Sequence, residues 1–264
     1  MSKQVTTSSP KLFIGLDIHK KSWKFHFATD IVIGSGHSFP ACNQTIHNYV
    51  NKHYPDYQVS IAYEAGCCGY NPARAFINFG WDTFVFNPAD IPRPAKNNFV
   101  KTDKIDAKNI AMQLRSGHLK KLTLPPPQRE ALRCLTRQRT ALVRDFRRIK
   151  SRIKALLLYH QIHIPEQMDS PKWTKQFLEW LNTISMPQAN NLLTLKSMIA
   201  QYDFVDLQIK QVSNSMRAYC RKHYKKDYYL LKSVPGIAGL TASYILAELG
   251  DLRRFNSLKQ LAAM

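Results

Sequence analysis

KLFIGLDIHKKSWKFHFATD, from Lys11 to Asp30, decides how this chain begins to fold. KLFIGLDI is a short apolar run, HKKS is polar, and WKFHFATD alternates large apolar residues with polar ones, which predicts two strands closed by a tight turn. Outward from that hairpin, a third strand is expected over Ile31 to Ser38 and a helix over Thr45 to Lys52. QVSIAYE, from Gln58 to Glu64, reads as a buried strand ending on a carboxylate. A Gly-Cys-Cys-Gly turn follows, then a helix from Pro72 to Phe79 and a further strand within WDTFVFNP, Trp81 to Pro88. Strand, helix and strand in that order predict an α/β unit whose parallel strands sit centrally beside the antiparallel hairpin. Asp103 to Leu114 reads as one more helix.

The run LPPPQ, Leu124 to Gln128, stops any regular element and marks the expected domain boundary. Beyond it, Gln128 to Ile162 carries one long helical pattern, with Leu132, Leu135, Leu142, Phe146, Ile149, Ile153 and Leu156 stepping by threes and fours once Arg139 is admitted. Such a coiled-coil seam needs a partner. The pattern Leu192, Leu195, Ile199, Tyr202, Val205, Ile209, Val212, Met216 could supply it, from within the chain or from another subunit. The first of these helices holds ten cations, among them Arg133, Arg137, Arg144, Arg147, Arg148 and Arg152, against only Glu130 and Asp145. A charge run on a helix is usually a solvated face, but so few compensating acids favour phosphate contact through counterion release.

The whole chain repeats that bias: 38 Lys and Arg against 18 Asp and Glu leave +20, a field suited to nucleic acid. A basic but inert surface, ribosomal binding and membrane-surface binding remain alternatives on charge alone. No apolar run approaches the roughly 18 to 20 residues of a membrane span, so a membrane is not an expected partner. Residues 1–10, MSKQVTTSSP, lack the apolar core of a secretory signal and read as a disordered lead, which points to the cytoplasm. Cys42, Cys67, Cys68, Cys134 and Cys220 show no zinc-binding spacing and are expected to be reduced, structural thiols.

Asp17 closes the first apolar strand and Glu64 closes QVSIAYE. Chemistry in an α/β sheet collects where strands end, so on neighbouring strands these two would share a rim. Asp103 and Asp106, three residues apart on a helix, could close that site from the side. Four converging carboxylates repel unless cations neutralise them, and oxygen ligands favour Mg²⁺ or Mn²⁺. Two such ions can assist both the attacking and the leaving oxygen in phosphodiester transfer. The neighbouring Lys101, Lys104 and Lys108 would then hold phosphates. The structural alternative is an N-cap at Asp103 with Asp106 three residues on, and an Asp17 that merely ends a strand.

FIGLDIHKKSW around Asp17, AYEAGCCGY around Glu64 and KTDKIDAKNIA around Asp103 and Asp106 resemble, in that order, the N-terminal domain of the DEDD-type insertion-sequence transposases of the insertion-sequence one-ten family, relatives of a pilin-gene invertase. The resemblance implies a ribonuclease H-like, RuvC-like α/β domain in which Asp17, Glu64, Asp103 and Asp106 are both catalytic and metal-binding. It continues into LLKSVPGIAGLTASYILAELGDLRRFNSLKQLAAM, from Leu230, which is similar to the start of the family's second, α-helical domain. The residues there also read directly as a helix-hairpin-helix pattern, with Gly236 and Ala238 at a turn whose amides could meet a phosphate. Ala238 departs from the glycine that the pattern prefers, so a Cβ stands where the backbone would approach DNA. Expected boundaries are thus 11–122 for the DEDD domain, 123–127 for the Pro-rich linker, 128–222 for the basic helical arm and 223–264 for an incomplete second domain.

The resemblance further implies DNA as substrate, a structured guide RNA as partner, and a dimer or tetramer of identical chains. The family's nucleophilic serine motif has no counterpart between Leu258 and Met264, and neither Ser243 nor Ser257 takes its place. A protein ending there is expected to be a C-terminally truncated transposase or recombinase subunit that lacks the step attacking DNA. A metal-dependent junction nuclease, and a non-catalytic nucleic-acid-binding remnant, are the alternatives.

Overall fold

A computed structural model describes residues 9–88, 103–257 and 259–260, and for residues 103–105 the backbone only. Of the expected lead, residues 1–8 lie outside the described residues. The chain divides into two compact units, one up to Leu124 and the other from Pro125.

In the first unit the hairpin forms as β1, Lys11–Ile18, and β2, Ser22–Thr29, paired antiparallel with Gly15 opposite His26 and Asp17 opposite Lys24. β3, Ile33–Pro40, adds antiparallel to β2. It starts later than the expected Ile31 because Ile31 and Val32 are spent on the turn, where the Val32 amide donates to Thr29 Oγ1 at 3.0 Å and the Thr29 amide to the Val32 carbonyl at 2.8 Å. β4, Gln58–Glu64, lies parallel to β1, and β5, Asp82–Phe86, lies parallel to β4. Among the described residues this makes one five-stranded sheet of order β3-β2-β1-β4-β5. The expected mixture, parallel strands beside an antiparallel hairpin, is what forms.

Strand side chains alternate between faces, and here the two faces take different helices. Leu12, Ile14, Leu16, Ile61 and Tyr63 bury against Ile46 and Val50 of α1, Asn43–His53, and Ala73 and Phe76 of α2, Asn71–Asn78. On the opposite face, Phe13, Ala62 and Phe84 meet Ile110 and Leu114 of α3, Asp103–Arg115. Gly15 sits under that helix: a Cβ built there would collide with the Ala107 carbonyl oxygen and the Ala111 amide nitrogen.

His26, on β2, is 7% exposed, and its buried Nε2 meets no hydrogen-bond partner among the described residues. Burial, and then the positive charges of Lys108 and His37, hold its pKa below the ordinary 6.5. Below that value the unfolded chain takes up a proton that the folded chain still refuses, so stability is intact above about pH 6.5 and lost as pH falls through it. His26→Leu should therefore lose less melting temperature than the wild type between pH 7.5 and 5.5. Equal losses in both would show that His26 does not set the acid limit.

The second unit is helical. α4, Pro127–Tyr159, and α6, Ala189–His223, pack along one another, so the seam finds its partner within the chain. Ile149, Ile153 and Leu157 near the end of α4 share a core with Leu195, Ile199 and Tyr202 near the start of α6, closed by Phe177 and Leu181 of α5, Lys175–Thr183. Leu132 near the start of α4 shares another with Cys220 at the end of α6, so the two helices run antiparallel. The buried stripe departs from the expected one: Thr136 and Leu157 are fully buried, while Leu135 and Leu156 are only partly so. A 3.6-residue helix drifts against a heptad over this length. Arg139, the intruder in the seam, is satisfied by Ser213 Oγ at 2.8 Å and the Tyr244 hydroxyl at 3.4 Å.

α7, Lys225–Lys232, and α8, Gly239–Glu248, pack through Tyr228, Ala242 and Leu246 onto the Leu132–Cys220 core. Residues on both sides of the expected boundary at 222/223 belong to the same compact unit.

Candidate functional site

The register of β1 on β4 places Leu16 beside Tyr63, so Asp17 and Glu64 follow side by side where these two parallel strands end. Alternation puts Asp17 on the face of Phe13 and Gly15, and Glu64 on the face of Ala62, which is the face α3 covers. Asp106 lies one turn before Ile110 on that helix. The three carboxylates line one cleft of about 310 Å³, together with His19, Cys67 and Cys68. Asp103 opens α3 one turn ahead of Asp106, and its side chain lies outside the described residues, as do Lys101 and the side chain of Lys104. Lys108 is described and exposed.

Asp17 is 21% exposed, and its Oδ2 is 3.0 Å from His19 Nε2. The loop after Glu64 is anchored from below by Tyr63, whose hydroxyl donates to the Gly69 carbonyl at 2.9 Å and accepts from the Ala73 amide at 3.3 Å. Burial pushes that phenol well above its ordinary value, so it stays a donor at any physiological pH. The Ala65 amide donates to the Phe86 carbonyl at 2.9 Å, tying the same loop to β5.

In kind, the donors fit a hard divalent cation: carboxylate oxygens converging from two strands and a helix. Among the described residues, no group of three or more His, Cys, Asp or Glu side chains is gathered tightly enough to hold a metal ion. Of the residues expected to reach one ion, Asp17, Glu64 and Asp106 line a shared cleft, and the Asp103 side chain lies outside the described residues. His19, Gly15 and Tyr63 escaped the reading of carboxylates alone. The signal for Gly15 was in the text, a glycine among large apolar residues in mid-strand, which marks close approach of another backbone.

The arginines of α4 divide into two groups. Arg129 and Arg133 donate to the carbonyls of Ala247 and Glu248, with Arg133 Nε 3.0 Å from the Ala247 oxygen and its Nη2 3.0 Å from that of Glu248. The last carbonyls of a helix lack partners within it, so these side chains close the end of α8. Arg137 reaches the Glu248 carboxylate at 3.5 Å. This corrects the expectation for Arg133, whose guanidinium is committed to the fold rather than presented to phosphates. Arg133→Ala should destabilise the chain by about 2 kcal/mol, read as a lower urea midpoint at unchanged slope. An unaltered midpoint would return Arg133 to the exposed group.

Arg144, Arg147, Arg148 and Arg152 remain exposed along α4, Arg148 within 3.1 Å of Asp145 and Arg152 within 3.0 Å of Gln201 Oε1. Gly236 and Ala238 are exposed in the turn between α7 and α8, with Gly236 at φ +85°. Ser243 is buried, with its hydroxyl donating to the Gly239 carbonyl at 2.8 Å. Ser257 is exposed, and its Oγ accepts from the Gln260 amide at 3.3 Å. No helix among the described residues is long and apolar enough to cross a membrane.

Residues 14–161 match a family model described as DEDD transposase, IS110 type, and residues 228–264 match one described as transposase of the IS116/IS110/IS902 family. A putative transposase y4qE of Sinorhizobium fredii is 31% identical over 206 residues, covering 77% of this chain and 48% of that protein. The transposase for insertion sequence element IS1533 of Leptospira borgpetersenii is 25% identical over 256 residues, covering 92% and 71%. That for IS1111A of Coxiella burnetii is 23% identical over 195 residues, covering 72% and 51%. The chain belongs to the IS110 family of transposases. It spans about half the length of y4qE.

Proposed function

We propose that this chain is a DNA transposase or recombinase subunit whose first unit is ribonuclease H-like and binds a divalent cation, Mg²⁺ or Mn²⁺, through Asp17, Glu64 and Asp106 with Asp103. The observation that carries this is the single cleft lined by carboxylates from the ends of β1 and β4 and from α3. The sheet order and the family membership support it. The bound cation would supply charge neutralisation and polarisation of a phosphodiester oxygen. The chain's own residues then do the positioning: Asp17, Glu64 and Asp106 hold oxygen donors on one face, and His19 fixes the orientation of the Asp17 carboxylate. Gly15 lets α3 approach closely enough to bring Asp106 to that face.

Titrating the chain with Mn²⁺ by calorimetry tests the reading. The wild type should bind, and Asp17→Asn and Glu64→Gln should bind far more weakly. Equal binding by wild type and both variants would remove the metal site.

The nucleic acid partner, DNA with a structured RNA, would be held by the exposed arginines of α4, by Lys108, and by the turn at Gly236 and Ala238. Each phosphate contact contributes about 0.9 to the slope of log affinity against log salt on duplex DNA. Replacing Arg144, Arg147, Arg148 and Arg152 together with Gln should weaken binding and flatten that slope by about 3.6, whereas an unchanged slope would place the contacts elsewhere. Assembly as a dimer or tetramer belongs to the same proposal.

A further inference from the structure

We propose that Cys67 and Cys68 form a two-thiol site at the rim of the carboxylate cleft that takes thiophilic metalloid centres, a ligand class separate from the hard cations suited to Asp17, Glu64 and Asp106. The Sγ atoms lie 3.8 Å apart, and both residues line the cleft. Cys67 is exposed and Cys68 partly so, which corrects the expectation that all five cysteines are structural; it holds for the buried Cys220. The pair is carried on a fixed loop. The Gly69 amide closes a turn onto the Gly66 carbonyl at 3.1 Å, and the Tyr63 hydroxyl bonds the Gly69 carbonyl.

Thiolates are soft donors and carboxylates hard ones, so the cleft offers two chemically distinct sets of ligands side by side. A disulfide between the two sulfurs is the less favourable fate. Consecutive Cα atoms across a trans peptide are about 3.8 Å apart, shorter than the roughly 4.4 to 6.8 Å that a relaxed disulfide spans. A trivalent arsenic centre bonded to both sulfurs requires no sulfur–sulfur bond, and the existing gap can close around it. An organoarsenic oxide, R–As=O, forms two As–S bonds and loses its oxygen as water with the two thiol protons; arsenic stays trivalent and no electrons are transferred. The second bond forms within the molecule, so the chelate outlasts an adduct on a single thiol. Cys42, Cys134 and Cys220 have no second cysteine beside them in the sequence.

The test incubates the full chain with phenylarsine oxide, washes it with excess monothiol and measures the intact mass. The wild type should retain one phenylarsenic group, which a small dithiol then strips. Cys67→Ser and Cys68→Ser should each retain none, while Cys42→Ser retains one. A wild type left bare after the monothiol wash, or a Cys67 or Cys68 variant that retains as much as the wild type, overturns the proposal. Asp17→Asn should keep the group as well as the wild type does. Failure of Mn²⁺ binding at the carboxylates is thereby read separately from failure at the thiols.

Discussion

Gly15→Ala should destabilise the first unit by about 3 kcal/mol or more, a large share of the 5–15 kcal/mol typical of a folded domain. The added methyl would occupy the space of the Ala107 carbonyl oxygen and the Ala111 amide nitrogen. Those are backbone atoms of a helix, so no rotamer change relieves the clash. α3 must lift from β1, and with it go the contacts of Ile110 and Leu114 on Ala62 and Phe84. Gly36→Ala on β3 is the control, since its Cβ would come no nearer than 3.5 Å to the Phe25 carbonyl oxygen. That change should fall within about 0.5 kcal/mol of wild type. Urea unfolding of both variants decides the matter, and equal midpoints would show that α3 does not press on Gly15. Any folded Gly15→Ala protein should also bind Mn²⁺ poorly, because Asp106 travels with the helix.

Neutralising the carboxylates has the opposite signature. Asp17→Asn, Glu64→Gln and Asp106→Asn each remove a negative charge from one cleft, so the metal-free chain should be as stable as wild type or slightly more so. The loss appears only with metal. Removing partners that merely orient a ligand lowers metal affinity about 10 to 100-fold, and a ligand itself should lower it by more than about 100-fold by the same comparison. At a concentration of 100 times its dissociation constant a cation stabilises the fold by about 2.7 kcal/mol. Melting temperatures with and without Mn²⁺ should therefore separate in wild type and coincide in all three variants. Asp103→Asn belongs in the same series. A variant of Asp103 that keeps the full Mn²⁺ shift would reduce the set to the three residues of the described cleft.

Much of the first unit could be read from the text because its signals are local. Alternation in WKFHFATD, the apolar run of QVSIAYE and the stripe Ala107, Ile110, Ala111, Leu114 each report burial within one element. The seams of α4 and α6 were equally visible, yet whether they met each other or another subunit was not, since a stripe states only that a face must be covered. The roles of the arginines were less legible still. Arg133 and Arg144 look alike along the helix, and only the end of α8, more than a hundred residues on, separates the one that closes a helix from the one that faces water.

By itself, then, the order of amino acids determined the class of fold and which carboxylates to suspect, because periodicity and spacing are properties of neighbouring residues, while the family entered through the resemblance of its motifs. Tertiary structure alone decided that Asp17, Glu64 and Asp106 share a cleft and that Gly15 is what admits α3 to it. It also decided that Cys67 and Cys68 stand at that cleft's rim. Distances between residues far apart in the chain depend on strand register and on how closely a helix can settle on a sheet, and neither is written in any single segment.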